Sequence, residues 1–191
     1  ELNKGEKDQI KVTGDYEKLT WSSSDSSTVE VDQSGNIHAL KSGKATITAK
    51  DNSGQSISCV VTVTNKLKNL TLNEKELNLK GKTEKKLNVT LTPKDADSEK
   101  LTWTSSNEGV VKVSEDGTLT SVSCGEAIIT VSSESGLKDS CKVKVSHDWI
   151  LESKLDATAE NEGKNVYRCS LCNETKEETI PKLIGKWVTD S

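Results

Sequence analysis

Two cysteines near the carboxyl end of the sequence have the residue types and spacing that most directly suggest chemistry. Cys169 and Cys172 form a Cys-x-x-Cys motif, and His147 precedes them in the same segment. Zinc prefers thiolate sulfur and imidazole nitrogen, usually four donors in a tetrahedron. This segment offers only three donors, so the sequence predicts at best an incomplete zinc site at His147, Cys169 and Cys172. A Cys169–Cys172 disulfide and a pair of free thiols remain as alternatives.

Aromatic residues in the same segment suggest a second chemistry. Trp149, Tyr167 and Trp187 follow one another along it, and an aromatic face with a polar edge suits a binding surface. They are therefore candidates for contacting a carbohydrate ligand.

Other chemistries find less support. Asp25, Asp32, Asp51 and Asp116 could ligate calcium through carboxylate oxygens, but acidic residues at such positions more often serve turns. The only histidines are His38 and His147, and no triad of serine, histidine and aspartate and no glycine loop for phosphate is evident. The sequence therefore predicts a protein that is not an enzyme and needs no cofactor, with zinc or calcium as the exceptions to test.

The elements that position these residues are set by an internal repeat. Trp21 and Trp103 stand 82 positions apart. The same offset relates further pairs: Val29 and Val111, Gly35 and Gly117, Gly43 and Gly125, Cys59 and Cys141. A repeat of this length indicates two copies of one structural unit.

Composition and alternation indicate that each copy is a β-sandwich. The hydrophobic fraction is 31% and the aromatic fraction 3%, so the cores must be thin and built from Val, Ile, Leu and Trp. Short alternating segments are separated by turn residues, as in antiparallel sandwiches. We expect Trp21, Trp103, Cys59 and Cys141 to lie in the two cores, and a single strand over residues 85–91.

The last hairpin of the second copy determines where Cys124 lies. A two-residue turn at Glu134 and Ser135 would place Cys124 opposite Val145 and Cys141 opposite Ile128. That register disfavours a Cys124–Cys141 disulfide. Cys124 has no counterpart in the first copy, where Ser42 stands at its position.

The repeated motifs resemble the bacterial immunoglobulin-like domain of group 2. The resemblance rests on Trp-Ser-Ser-Ser-Asp at 21–25, Gly-Lys-Ala-Thr-Ile-Thr-Ala at 43–49 and Cys-Val-Val-Thr-Val at 59–63, with matching pieces in the second copy. It implies an all-β fold with two tandem immunoglobulin-like sandwiches, at residues 1–64 and 65–146. It also implies the settings of this family, namely invasin- and intimin-like adhesins, surface-layer proteins and spacers of secreted enzymes.

Residues 147–191 predict a small β-rich module and the start of a further repeat. The segment resembles a short cysteine-containing repeat of clostridial-type surface proteins. Ala159 stands where that repeat has its first cysteine, and Asn173 replaces a glycine, which still permits a left-handed turn. The loss of a thiol at Ala159 removes one potential ligand or disulfide partner.

The ends and the charge of the sequence set its context. The net charge is −4 with acids and lysines interspersed, which gives no basic face for nucleic acid. No apolar run reaches the about 18 residues of a membrane span.

The chain starts at Glu1, so we expect a piece of a longer protein, and the first copy lacks the strand expected at residues 68–73 of the second. A sheet edge there would be uncovered or filled by another chain.

These observations predict a non-catalytic structural or adhesion segment of a bacterial cell-surface or secreted multidomain protein. Its partners would be a host-surface or matrix protein or a glycan, together with neighbouring domains of the longer chain. The alternative is an accessory carbohydrate-binding or spacer region of an extracellular enzyme.

Overall fold

The described residues form β-strands joined by turns. The computed structural model describes residues 1–16 and 18–185, and all elements in this part are strands, so the fold class is all-β as predicted. It contains no helix of the length and apolar character that crossing a bilayer requires.

The first copy is built from seven strands in two sheets. One sheet has the order β1-β7-β6-β3 and the other the order β2-β5-β4. The strands are β1 Leu2–Asn3, β2 Lys7–Gln9, β3 Leu19–Ser23, β4 Val29–Val31, β5 Asn36–Ala39, β6 Gly43–Asp51 and β7 Ser56–Thr64. Side chains from both sheets form one core that includes Trp21, Ile37 and Ile47.

The second copy repeats this topology and adds to it. The equivalent sheets are β12-β15-β16-β9 and β10-β14-β13, and β8 pairs with β11. The strands are β8 Asn69–Leu72, β9 Glu76–Lys80, β10 Glu84–Lys86, β11 Val89–Thr92, β12 Leu101–Ser105, β13 Val111–Val113, β14 Thr118–Ser121, β15 Gly125–Ser133 and β16 Lys138–Ser146. Its buried side chains include Leu87, Leu119 and Ile129.

Three further strands form the C-terminal sheet. They are β17 Trp149–Leu155, β18 Gly163–Cys169 and β19 Thr175–Ile180, in the order β17-β18-β19. The chain divides into two compact units, residues 1–70 with 91–99 and residues 71–90 with 100–191. The C-terminal sheet therefore belongs to the same compact unit as most of the second sandwich.

The hairpin of β15 and β16 has a register one residue away from the prediction. Gly125 pairs with Val145 and Ile129 with Cys141. The turn has three residues, since the Ser133 N–H donates to the Leu137 carbonyl, and Gly136 takes the left-handed φ of 90°. A left-handed glycine at the end of a turn accommodates one extra residue, which a two-residue turn does not provide.

The two equivalent cysteines differ in burial. Cys141 is fully buried, whereas Cys59 is exposed, so the expectation that both lie in a core is wrong for Cys59. In the second copy the chain from β8 to β9 runs along β16, where the Leu72 N–H donates to Asp139 and the Lys142 N–H donates to the Lys75 carbonyl. Among the described residues of the first copy no strand is equivalent to β8, and the segment of β7 around Cys59 is exposed, as expected from the shortened start of this copy.

The strand expected over residues 85–91 is two strands, β10 and β11. Leu87 lies between them with its side chain buried, and its N–H donates to the Gly117 carbonyl. The next residue, Asn88, pairs with Asn73 at the end of β8. The chain thus changes sheets at Leu87 and Asn88, which an alternating pattern does not reveal.

Each copy packs its tryptophan against a glycine. Trp21 is buried and Trp103 is half-buried. A β-carbon on Gly117 would lie 2.6 Å from the Trp103 ring and 2.9 Å from the Leu87 carbonyl oxygen, and one on Gly35 would lie 2.8 Å from the Trp21 ring. Both glycines also have positive φ, +82° at Gly117 and +78° at Gly35. Steric overlap and backbone conformation therefore both disfavour a side chain at these positions.

Replacing Gly117 with alanine is expected to destabilise the protein by about 2–4 kcal/mol, because a left-handed backbone and a steric clash both oppose the methyl group. Gly136→Ala is the matched control, since Gly136 has φ +90° with nothing within 4 Å, and should cost only the backbone part, about 1–2 kcal/mol. Urea unfolding followed by circular dichroism measures both. Equal losses in the two variants would contradict the packing argument.

Cys59 and Cys141 should differ in reactivity in the folded protein. Burial raises the pKa of the Cys141 thiol and also blocks access to it, whereas Cys59 is open to solvent. A maleimide reagent is therefore expected to modify Cys59 rapidly and Cys141 only in urea. Peptide mass spectrometry locates the label, and native labelling of both at similar rates would show that β16 is not covered as described.

Candidate metal centre

Four donor side chains meet at one end of the second sandwich. They are Cys124, His147, Cys169 and Cys172, and their ligand atoms all lie within 4.8 Å of one another. Cys124 lies in the turn between β14 and β15, and His147 follows directly after β16. Cys169 ends β18, and Cys172 lies in the turn that leads to β19. Within the described residues, this is the one group of histidine, cysteine and acidic side chains compact enough to hold a metal ion.

Distances within this thiol-imidazole cluster fit a tetrahedral ion. The sulfur atoms of Cys124 and Cys169 are 3.5 Å apart, and the sulfur of Cys172 is 3.3 Å from the Nδ1 of His147. Zinc–sulfur bonds of about 2.3 Å and zinc–nitrogen bonds of about 2.0 Å imply ligand–ligand edges of about 3.5–3.8 Å. The cluster therefore needs only small shifts to close around zinc.

The imidazole of His147 is oriented by two neighbours. Its ring stacks on Trp149 with 4.6 Å between centroids and 16° between planes. Its Nε2 lies 3.6 Å from a carboxylate oxygen of Glu174. Metal-binding histidines usually have a carboxylate near the remote ring nitrogen that helps to orient the ring, and Glu174 occupies this position. Nδ1 is the nitrogen that faces the cysteines.

The loop between Cys169 and Glu174 is folded tightly around the cluster. The Asn173 N–H donates to the Cys169 carbonyl, and the Cys169 N–H donates to the Glu174 carbonyl. Asn173 has a φ of 62°, so the asparagine that replaces a glycine does take the left-handed conformation expected for it. This conformation turns the chain back, and Cys172 thereby approaches Cys169.

Within the cluster, the thiols of Cys124 and Cys169 have pKa values that are shifted in opposite directions. Burial of Cys169 acts to raise its pKa, but the backbone of Cys172, Leu171 and Asp148 and the ring of His147 outweigh it and lower the pKa to about 6. Partial burial, with the sulfurs of Cys172 and Cys169 beside it, raises the pKa of the Cys124 thiol to about 12. A thiolate at one cysteine disfavours the ionisation of a neighbouring thiol. A bound divalent cation would instead favour the thiolate form of each ligand.

The structure brings together the three sequence candidates and adds a fourth. His147, Cys169 and Cys172 were expected to form an incomplete set, and Cys124 completes it from the second sandwich. All five cysteines are free in the structure, so Cys169 and Cys172 are not joined in a disulfide. The one sequence signal for Cys124 was its lack of a counterpart in the first copy, where Ser42 stands.

Comparison with known families assigns the two sandwiches. Residues 1–61 and 66–143 match the bacterial Ig-like domain (group 2) family, and together they make up well over half of the chain. The chain belongs to this family. The C-terminal sheet lies beyond the matched residues.

Relatives of this Ig-like chain are much longer proteins. An uncharacterized protein of Clostridium acetobutylicum is 38% identical over 142 residues, covering 72% of this chain and 15% of the relative. An alpha-L-arabinofuranosidase of Bifidobacterium longum is 49% identical over 61 residues, covering 32% of this chain and 6% of the relative. The chain thus spans only a small part of the curated relatives that it matches.

Among solved structures, domains 1–6 of the surface layer protein SbsC align with 82% of this chain and 24% of that one. The TM-score is 0.41 and the sequence identity 18%.

The aromatic residues proposed for carbohydrate binding make contacts within the Ig-like chain. The ammonium group of Lys176 lies 5.5 Å from the Trp149 ring centroid and 4.8 Å from that of Tyr167. Cation–π contacts of this kind are favourable, so a sugar would have to displace Lys176 to stack on these rings. Trp187, the third candidate, lies outside the described residues.

The four aspartates considered for calcium serve turns. Each accepts hydrogen bonds from residues two to four positions ahead in the chain, as Asp32 does from the backbone N–H of Ser34 and Asn36. Asp25 accepts from the hydroxyl groups of Ser27 and Thr28 at 2.6 and 2.7 Å. Such bonds stabilise the turn itself, and none of these carboxylates belongs to the compact donor group found in the described residues.

Replacing Asp25 with asparagine should destabilise the first sandwich near neutral pH and have less effect in acid. The hydroxyl groups of Ser27 and Thr28 lower the pKa of Asp25 to about 2, below its ordinary 3.8. Because the folded pKa is the lower one, this stabilisation is present above the unfolded pKa and is lost as the pH falls through the folded one. Thermal unfolding of both proteins at pH 6 and pH 2.5 tests this. A difference in midpoint that grows in acid, or a wild-type midpoint that rises with added calcium, would contradict the assignment.

Proposed function

We propose that the chain is a non-catalytic structural and adhesion segment of a bacterial cell-surface or secreted multidomain protein. One observation carries the proposal: the only compact group of potential metal ligands in the described residues already supplies four protein donors, which would fill all the positions of a tetrahedral ion. Its four donor atoms all lie within 4.8 Å of one another. A catalytic zinc site keeps a position open for water or substrate, whereas four protein ligands are typical of a structural site.

The rest of the described surface supports a structural role. Lysines and acids form scattered exposed ion pairs, such as Lys142 with Glu126 at 3.2 Å and Lys164 with Glu177 at 2.6 Å. Exposed pairs like these contribute little stability, but they keep the surface hydrated and mixed in charge. The segment between the two matched Ig-like regions is only residues 62–65, so the two regions are nearly continuous in the sequence.

The adhesion part of the proposal concerns a host-surface or matrix protein. Binding of the purified chain to immobilised matrix proteins and to cultured cells tests it. We expect saturable binding to at least one of these surfaces, and heat-denatured chain is the control for non-specific adsorption. If no surface retains the folded chain above that control, adhesion is excluded and a spacer remains.

A second candidate function follows from the match to an alpha-L-arabinofuranosidase. It is an accessory region of an extracellular enzyme, in which Trp149 and Tyr167 contact a polysaccharide. A glycan array separates this candidate from the first. Our proposal predicts no glycan signal that depends on these rings. A signal that Tyr167→Ala removes and that Tyr16→Ala, an exposed aromatic of the first sandwich, leaves intact would favour the accessory role instead.

A further inference from the structure

The thiol-imidazole cluster is assembled from two different parts of one compact unit. Cys124 belongs to the second sandwich, while Cys169 and Cys172 belong to the C-terminal sheet. His147 stands at the point where the chain passes from β16 to β17. Any ion bound here would therefore be held by both parts at once.

An ion pair at the surface connects these two parts. Asp148, which directly precedes β17, pairs with Lys80 of β9 at 3.1 Å. The outward face of the C-terminal sheet is exposed, with Ile150 at 56% and Leu155 at 64%. A three-stranded sheet of this size does not bury enough apolar area to be stable alone, and small units of this kind are usually stabilised by a metal or a disulfide.

The donor set selects the ion. Three sulfurs and one nitrogen suit a soft or borderline metal and exclude calcium and magnesium, which take oxygen. Cys₃His is a common structural zinc set, and the Glu174 carboxylate near the remote nitrogen of His147 is typical of metal-binding histidines. We propose that Cys124, His147, Cys169 and Cys172 bind one zinc ion, and that this ion fastens the C-terminal sheet to the second Ig-like sandwich.

The first copy shows what the same turn looks like without the site. Ser42 stands at the position of Cys124, and the hairpin that follows has an equivalent register, with Gly43 opposite Val63. Serine is therefore compatible with this turn. Cys124→Ser should remove one ligand and leave the sandwich folded.

Elemental analysis is the first test. The chain is produced with added zinc and purified with a phosphine reductant and without chelator, and its content of zinc, iron and copper is measured. We expect about one zinc ion per chain in the wild type and an affinity at least about tenfold lower in Cys124→Ser. Cys59→Ser is the matched control, because Cys59 is exposed and outside the cluster, and it should retain the full zinc content.

A second measurement tests the fastening. Trypsin cleaves after lysine and arginine, and residues 147–185 contain several such sites. Chelator should accelerate cleavage of this segment in the wild type. Cys124→Ser should be cleaved rapidly with or without chelator, and residues 100–146 should resist cleavage in both proteins.

Four results would overturn the proposal. They are the absence of zinc from the wild type, iron or copper in its place, full zinc retention by Cys124→Ser, and a wild-type mass lower by two hydrogen atoms with a Cys124–Cys169 disulfide. Cobalt(II) substitution gives an independent reading, because a tetrahedral thiolate site is strongly coloured. The colour should appear in Cys59→Ser and be lost or altered in Cys124→Ser, and identical spectra would count against Cys124 as a ligand.

Discussion

The antiparallel register of the β15–β16 hairpin is the constraint on which the second half of the molecule depends. Both strands are internal to their sheet, with β12 beside β15 and β9 beside β16, so their register positions the rest of the sheet. The pairing of Gly125 with Val145 also brings the start of β15 and the end of β16 to the same end of the sandwich. Cys124 and His147, the next residues outward, thereby become neighbours although 23 positions separate them in the sequence.

The repeat shows how one fold acquires different properties from a few substitutions. Both copies have the same central hairpin and a tryptophan that packs on a glycine. In both, the second strand of the hairpin pairs in parallel with an earlier strand, β1 in the first copy and β9 in the second. They differ where a neighbouring element is present in one and not in the other. Covering by the chain from β8 to β9 makes Cys141 a core residue, and its absence leaves the equivalent Cys59 on the surface. The C-terminal sheet places Cys169 and Cys172 beside Cys124.

Strand identity was readable from the sequence where side chains alternate, because alternation directly reports one buried and one exposed face. The hairpin of β15 and β16 was found in this way. In residues 85–91 the alternating pattern also separates the more buried from the exposed side chains. It did not show that the chain leaves one sheet at Leu87 and joins another. The register of the hairpin was missed by one residue, since only the backbone conformation of Gly136 determines whether the turn has two residues or three.

By itself the sequence determined the family, the number of sandwiches and three donors of the cluster, because repeats, alternation and a Cys-x-x-Cys motif are all local or periodic patterns. Only the tertiary structure decided that Cys124 completes the set and that Cys59 does not belong to a core. Both outcomes depend on which segments lie side by side in space. Proximity of that kind follows from strand pairing over long sequence separations, and no spacing within the sequence encodes it.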